Sequence, residues 1–117
     1  MPHVVLQGSI SLEQCQSRIA PFLFRDGGFI VRGERVFRDP EGMTLLIETL
    51  VVDRGHTQKF FIQIVRRRED AIVRLEPLTD PEKTPGVRRA LAVVAHRLRE
   101  STGATYGRSN IDPYLIR

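Results

Sequence analysis

The chain has 117 residues, of which 41% are hydrophobic and 27% charged; this composition fits one globular domain and argues against a wholly disordered chain. A chain of this length buries roughly two-thirds of its unfolded surface, enough for a core without disulfides or metals. A single cysteine, no signal-peptide pattern at the N-terminus and no membrane-length apolar run predict a cytoplasmic protein without membrane contact.

The net charge of +4 is unusual in its make-up, because arginine supplies 16 of the 18 basic residues. Guanidinium groups suit bidentate contacts with carboxylates and phosphates, so this composition is compatible with nucleic acid as a partner. A GC-rich, bacterial-like genome is the competing explanation for the same arginine content.

The first two elements are a strand and a helix. His3–Gln7 is short and apolar, which predicts a strand. Ser11 begins a Ser-x-x-Gln capping box with Gln14, and Pro21 is expected to end or kink the helix before the stop at Gly27-Gly28. The predicted apolar stripe of this helix consists of Leu12, Cys15, Ile19, Phe22 and Leu23.

Four strands follow, separated by three turns. Asp39–Gly42 has the residues of a type I turn, and Arg54-Gly55 and Glu69-Asp70 can each form a two-residue hairpin loop. The strands that these turns bound are Phe29–Arg38, Met43–Asp53, His56–Arg68 and Ala71–Pro77.

The registers of the two hairpins agree with each other. The first two-residue loop pairs Ile47 with Ile62, and the second pairs Ile64 with Leu75. A slip of one residue in either hairpin would destroy this agreement, because side chains alternate with period two. The predicted core face of the meander therefore contains Leu45, Ile47, Ile62, Ile64, Val73 and Leu75.

The strand before the first hairpin needs one irregularity. Counting back from the Asp39–Gly42 turn pairs Val36 with Leu45 but directs Glu34 towards the core. A β-bulge at Gly33 removes this conflict.

The C-terminal part predicts a second helix and a tail. Thr84-Pro85 is a favourable helix start, and Gly103 is a favourable stop. We expect one domain over residues 1–103 and a tail over 104–117 whose apolar residues could dock on it. The apolar stripe of this helix is Val87, Ala90, Leu91, Val94 and Leu98.

The predicted order is β-α-β-β-β-β-α, an α+β fold with a single antiparallel sheet and both helices on one face. This order resembles a single repeat of the TATA-box-binding-protein-like arrangement and, equally, a helix-grip arrangement. The resemblance rests on element order alone, and it implies nothing about function because unrelated activities share such folds.

Sequence motifs give no catalytic, cofactor or metal site. The three histidines, His3, His56 and His96, are far apart, and Cys15 has no Cys-x-x-Cys partner. Phosphate-binding glycine motifs and a Gly-x-Ser-x-Gly elbow are also missing. We therefore expect no cofactor and favour a non-enzymatic protein, with an enzyme or small-molecule site between helices and sheet as an alternative.

The remaining candidate is the sheet face away from the helices, where apolar and arginine side chains alternate although a solvated face should be mostly polar. Three occupants are open: the chain's own tail or a second copy, another protein or a small apolar ligand, and nucleic acid. The first favours a homodimeric accessory protein, and the last would use arginines on phosphates and phenylalanines as stacking groups. The candidate binding surface is Arg32, Arg35, Phe37, Leu46, Leu50, Phe61, Gln63, Val65, Arg67 and Arg74.

Overall fold

A seven-stranded antiparallel sheet and two helices make up the fold, in a computed structural model that describes residues 1–117. The elements are β1 (His3–Gln7), α1 (Leu12–Ile19), β2 (Phe22–Asp26), β3 (Phe29–Arg38), β4 (Thr44–Asp53), β5 (His56–Arg67), β6 (Asp70–Leu75), α2 (Pro85–Thr102) and β7 (Thr105–Ser109). The strand order across the sheet is β2-β3-β4-β5-β6-β1-β7. The α+β class and the predicted order of seven elements are confirmed, and β2 and β7 are added as the two edge strands.

Helix α1 begins as predicted and ends sooner. The Ser11 hydroxyl accepts a hydrogen bond from the Gln14 amide at 3.3 Å, and the helix stops at Ile19, just before Pro21. The prediction that Phe22 and Leu23 continue its apolar stripe is wrong, because both lie in β2. Pro21 cannot continue the helix, and the residues after it pair instead with β3.

Helix α2 has the boundaries that its sequence predicts. Thr84 caps the N-terminus by accepting from the Val87 amide at 3.3 Å, and Pro85 occupies the first turn. Gly103 ends the helix in the left-handed region at φ 74°, where its amide donates to Arg99 O.

The β4–β5 hairpin has the predicted register. Ile47 pairs with Ile62, and the loop residues Arg54 and Gly55 both have positive φ, 51° and 87°. Such values match the tight two-residue turns whose twist suits a hairpin.

Two other registers were predicted wrongly, each by two residues. Ile64 pairs with Val73 and not with Leu75, because the loop is Arg68-Glu69, with Arg68 at φ 57°. Similarly, Val36 pairs with Ile47 and not with Leu45. Both shifts are even, so every side chain keeps the face that was predicted for it.

The bulge expected at Gly33 is present. The β3–β4 register shifts between Gly33 and Val36, so Glu34 and Arg35 together lie opposite the single residue Glu48. This geometry places both side chains on the face away from the core.

Both helices cover one face of the sheet. The helical residues Leu12, Ile19, Leu91 and Leu98 belong to the same buried cluster of 26 residues as the inward-facing strand residues. This packing leaves the other face of the sheet without a helical layer. The buried strand residues are Val4, Leu6, Val31, Leu45, Ile47, Val51, Phe60, Ile62, Ile64, Ala71, Val73 and Leu75.

The C-terminal segment packs on the helix side. Strand β7 pairs with β1, and Tyr106 lies opposite Leu6, whose side chain is in the core. Ile111 is buried in the same core. Neither helix combines the length and apolar character that a membrane-spanning helix requires.

Candidate functional site

The sheet face opposite the helices, here called the open face, carries all ten residues of the predicted binding surface. On β4 and β5 the open-face side chains alternate with fully buried ones, as Leu46 does between Leu45 and Ile47. Cross-strand pairs place Leu46 beside Gln63 and Arg32 beside Leu50. The assembled set is Arg32, Arg35, Phe37, Leu46, Leu50, Phe61, Gln63, Val65, Arg67 and Arg74.

The centre of the open face is aromatic and apolar. The rings of Phe37 and Phe61 meet edge to face, with centroids 6.2 Å apart and an interplanar angle of 70°. Phe37 keeps 45% of its surface exposed, although a phenylalanine of a self-sufficient domain is normally more buried. Leu46 lies directly beside Phe37 on the neighbouring strand.

A bidentate ion pair borders this apolar centre. Arg35 donates from Nε to Glu48 Oε1 at 3.1 Å and from Nη2 to Oε2 at 2.7 Å, and its guanidinium also lies 5.7 Å from the Phe37 ring centroid. The hydrogen bonds from Arg35 hold the pKa of Glu48 below its ordinary value. Glu48 is therefore ionised and bonded at neutral pH, which suits recognition better than proton donation.

Glu34 was not among the predicted binding residues, and the bulge brings it to the same region. Its carboxylate forms an ion pair with Arg32 at 2.5 Å. A depression of about 330 Å³ lies here, lined by Glu34, Arg35, Glu48, Lys59, Phe61 and Thr79 among others. Regular alternation would have turned Glu34 inward, so only the exact extent of the bulge reveals its position.

At the other end of the open face, the arginine side chains form no ion pairs. Arg74 donates from Nε to Gln63 Oε1 at 2.8 Å, and Val65 lies beside Ile72. Arg67, the last residue of β5, is exposed and lies opposite Asp70.

The tail does not cover the open face, which answers one of the three questions that the sequence left open. The Tyr106 hydroxyl donates to Ile116 O at 2.6 Å, and Tyr114 and Leu115 pack against the core from the helix side. The short turn Pro77–Thr79 lies beside β5, where Thr79 Oγ1 accepts from the Phe61 amide at 3.0 Å. Most of the open face is therefore free for a partner.

Cys15 on α1 and His96 on α2 lie away from this surface, whereas His3 lies beside Arg74 on the neighbouring strand. The thiol of Cys15 is buried among core residues, and this burial raises its pKa, which disfavours the reactive thiolate. Histidine, cysteine and acidic side chains form no group of three or more that could hold a metal.

Comparison with known proteins gives one limited similarity. The chain is 34% identical over 53 residues to a tRNA (guanine-N(7)-)-methyltransferase from Aquifex aeolicus (strain VF5). The match spans 45% of this chain and 18% of that protein, so it covers less than a fifth of the relative. No protein-family model matches the chain, and no solved structure matches it.

Proposed function

We propose that this chain is a non-enzymatic accessory module that self-associates through its open face. The observation that carries the proposal is the half-exposed Phe37, packed edge to face on Phe61, on a sheet face that neither the helices nor the C-terminal tail cover. Contiguous apolar surface on a soluble protein is commonly a site of association.

The size of the open face fits a stable dimer. The seven strands contain 53 residues in all, and at about 3.3 Å by 4.8 Å for each residue the open face covers roughly 840 Å². A standard interface requires about 800 Å² from each partner. A dimer of standard size would therefore use nearly the whole open face of each copy.

The charge pattern favours a second copy as the occupant. The open face presents both signs close together, as Arg35 with Glu48 and Arg32 with Glu34. In a two-fold dimer each surface meets itself, so a patch with both signs can exchange its ion pairs with the partner copy. A polyanion, in contrast, would have to displace the carboxylates that already neutralise these arginines.

Light scattering with a matched pair of variants tests the proposal. The wild type should have twice the chain mass of 13.4 kDa. Phe37→Asp introduces a charge into the centre of the open face and should return the mass to that of one chain, whereas Ser17→Asp, at an exposed position of α1, should leave the dimer intact. A monomeric wild type, or a Phe37→Asp variant that remains dimeric, contradicts the proposal.

A second candidate function is RNA binding. It is supported by the similarity to part of a tRNA (guanine-N(7)-)-methyltransferase, together with the net charge of +4. Because the match covers 18% of that enzyme, the proposed shared property is contact with RNA and not methyl transfer. Filter binding with tRNA and with single- and double-stranded RNA and DNA, at low and moderate salt, tests it. Binding that weakens as salt rises supports this function, and no binding at low salt contradicts it.

A further inference from the structure

The positive charge of this protein is concentrated in its C-terminal third. Residues 1–84 contain twelve basic and twelve acidic side chains, whereas residues 85–117 contain six basic and two acidic ones. The entire excess of +4 therefore belongs to α2, β7 and the residues after β7. Helix α2 covers the face of the sheet opposite the open face, so the α2 arginines and the apolar region lie on different sides of the sheet.

Two of the four α2 arginines are occupied with packing. Arg89 forms an ion pair with Asp26 at 2.7 Å and lies 4.7 Å from the centroid of the Phe29 ring. Arg97 donates from Nε to Ile19 O at 2.7 Å, which ties α2 to the end of α1. These contacts use the guanidinium groups on the β2 side of the helix.

The other two α2 arginines, Arg88 and Arg99, have no acidic partner within ion-pair distance. Eleven residues separate them, which is about three turns, so they lie roughly 16 Å apart along one side of the helix. Arg117, after β7, also lacks an ion pair. We call Arg88, Arg99 and Arg117 the α2–tail arginines.

Tyr106 orders two members of this group. The guanidinium of Arg99 lies 4.9 Å from the centroid of its ring, and that of Arg117 lies 5.7 Å from the same centroid. The ring is fixed in turn, because its hydroxyl donates to Ile116 O at 2.6 Å. An arginine stacked on an aromatic ring keeps its N–H groups pointing outward in a plane, which lowers the entropy lost when it binds an anion.

We propose that the α2–tail arginines bind the phosphate backbone of RNA. Arginine forms bidentate, charge-assisted hydrogen bonds with phosphate oxygens, and here only Glu100 and Asp112 oppose it in the same third of the chain. This inference rests on RNA binding, the second candidate function, and adds where on the molecule the RNA binds. It also differs from the sequence-based expectation, in which the open-face arginines contact phosphates. Both surfaces can be occupied together, so a dimer through the open face would present two copies of the RNA site.

Fluorescence anisotropy with labelled tRNA and the full chain tests the location. The double variant Arg88→Gln, Arg117→Gln should weaken binding about tenfold at low salt and lower the slope of log K against log salt by about two phosphate contacts. The control double variant Arg54→Asn, Arg68→Asn removes the same charge from two exposed hairpin positions with positive φ, where asparagine is well tolerated. The control variant should change the affinity less than threefold, because it removes positive charge but no phosphate contact.

The possible results separate this inference from the function on which it rests. If the wild type does not bind tRNA at low salt, RNA binding itself is refuted. If the wild type binds but the control loses as much affinity as the Arg88 and Arg117 variant, RNA binding stands and this location is wrong. Equal binding to vesicles of anionic lipid, with the same loss in the variant, overturns RNA as the occupant. Arg117→Gln alone, at an exposed position outside the helices and strands, repeats the test with the least risk to folding.

Discussion

Replacement of Gly33 by alanine should destabilise the fold through a single collision. Gly33 is buried directly opposite Phe22 on β2, and a Cβ atom at Gly33 would lie 2.7 Å from Phe22 Cδ2 and 2.8 Å from Phe22 Cζ. The ring therefore has to move. It has little freedom to do so, because it packs against the buried core and the Arg97 guanidinium lies 5.0 Å from its centroid.

The size of the effect follows from two opposing contributions. Overpacking of a close contact costs about 1–3 kcal/mol, whereas loss of glycine freedom in the unfolded chain returns roughly 0.4–1 kcal/mol. We expect Gly33→Ala to lower the free energy of unfolding by about 1–2 kcal/mol, and the Tm by roughly 4–10 °C for a chain of this size.

Urea unfolding followed by circular dichroism measures this change, with Gly28→Ala as the matched control. A Cβ atom at Gly28 meets only Arg54 Cγ, at 3.4 Å, so the control should be neutral or slightly stabilised. The cost of Gly33→Ala should also vanish in a Phe22→Ala background, because the colliding ring is then gone. The reasoning is refuted if Gly33→Ala is as stable as the control, or if its cost persists without the ring.

Two further predictions concern titratable groups. Cys15 should react with a thiol reagent only when the protein unfolds, because burial raises its pKa; reaction of the native protein at the rate of a free thiol would contradict this. The carboxyl of Glu48 has a pKa lowered chiefly by its hydrogen bonds from Arg35, so the stability that it contributes is fully present above its unfolded pKa of about 4.3 and is lost as pH falls through the folded pKa. Thermal unfolding between pH 6 and 3 should therefore show a smaller loss of stability for Glu48→Gln than for the wild type, and identical pH profiles would refute the role of this pair.

The sequence predicted faces more accurately than registers. Alternation assigned Ile62, Ile64 and Val73 to the core, and all three are fully buried. The same alternation could not detect the shift that moved Ile64 from Leu75 to Val73, because a slip of two residues leaves every side chain on its original face. The exact pairing depends on the turn, where Arg68 adopts the positive φ that usually marks glycine or asparagine.

The two edge strands were missed for different physical reasons. In β2, Phe22 falls at helical spacing from Ile19, so its apolar character was attributed to the helix. In β7, the sequence Thr105–Ser109 is short and contains a glycine, and its pairing depends on β1, more than a hundred residues earlier in the chain. Neither edge strand contains a fully buried residue, so neither shows the clear apolar alternation by which a strand is recognised.

The candidate site, like the fold, could be predicted only in part from the sequence. The ten open-face residues followed from period-two alternation, whereas Glu34 depended on the extent of the bulge. The excess of charge in residues 85–117 is visible in the sequence, but the separation of the α2 arginines from the open face depends on the packing of α2 on the other side of the sheet.

The most direct test of the central claim is side-chain footprinting of the open face at increasing protein concentration. Phe37 is 45% exposed in the single chain and should become protected as dimers form, whereas Met1, which is 62% exposed and lies beside Lys83 and Arg88, serves as the reference. Labelling of Phe37 should fall relative to that of Met1 as the concentration rises, and Phe37 should be labelled fully in the most dilute sample. A constant ratio of the two labels at every concentration would contradict self-association through the open face.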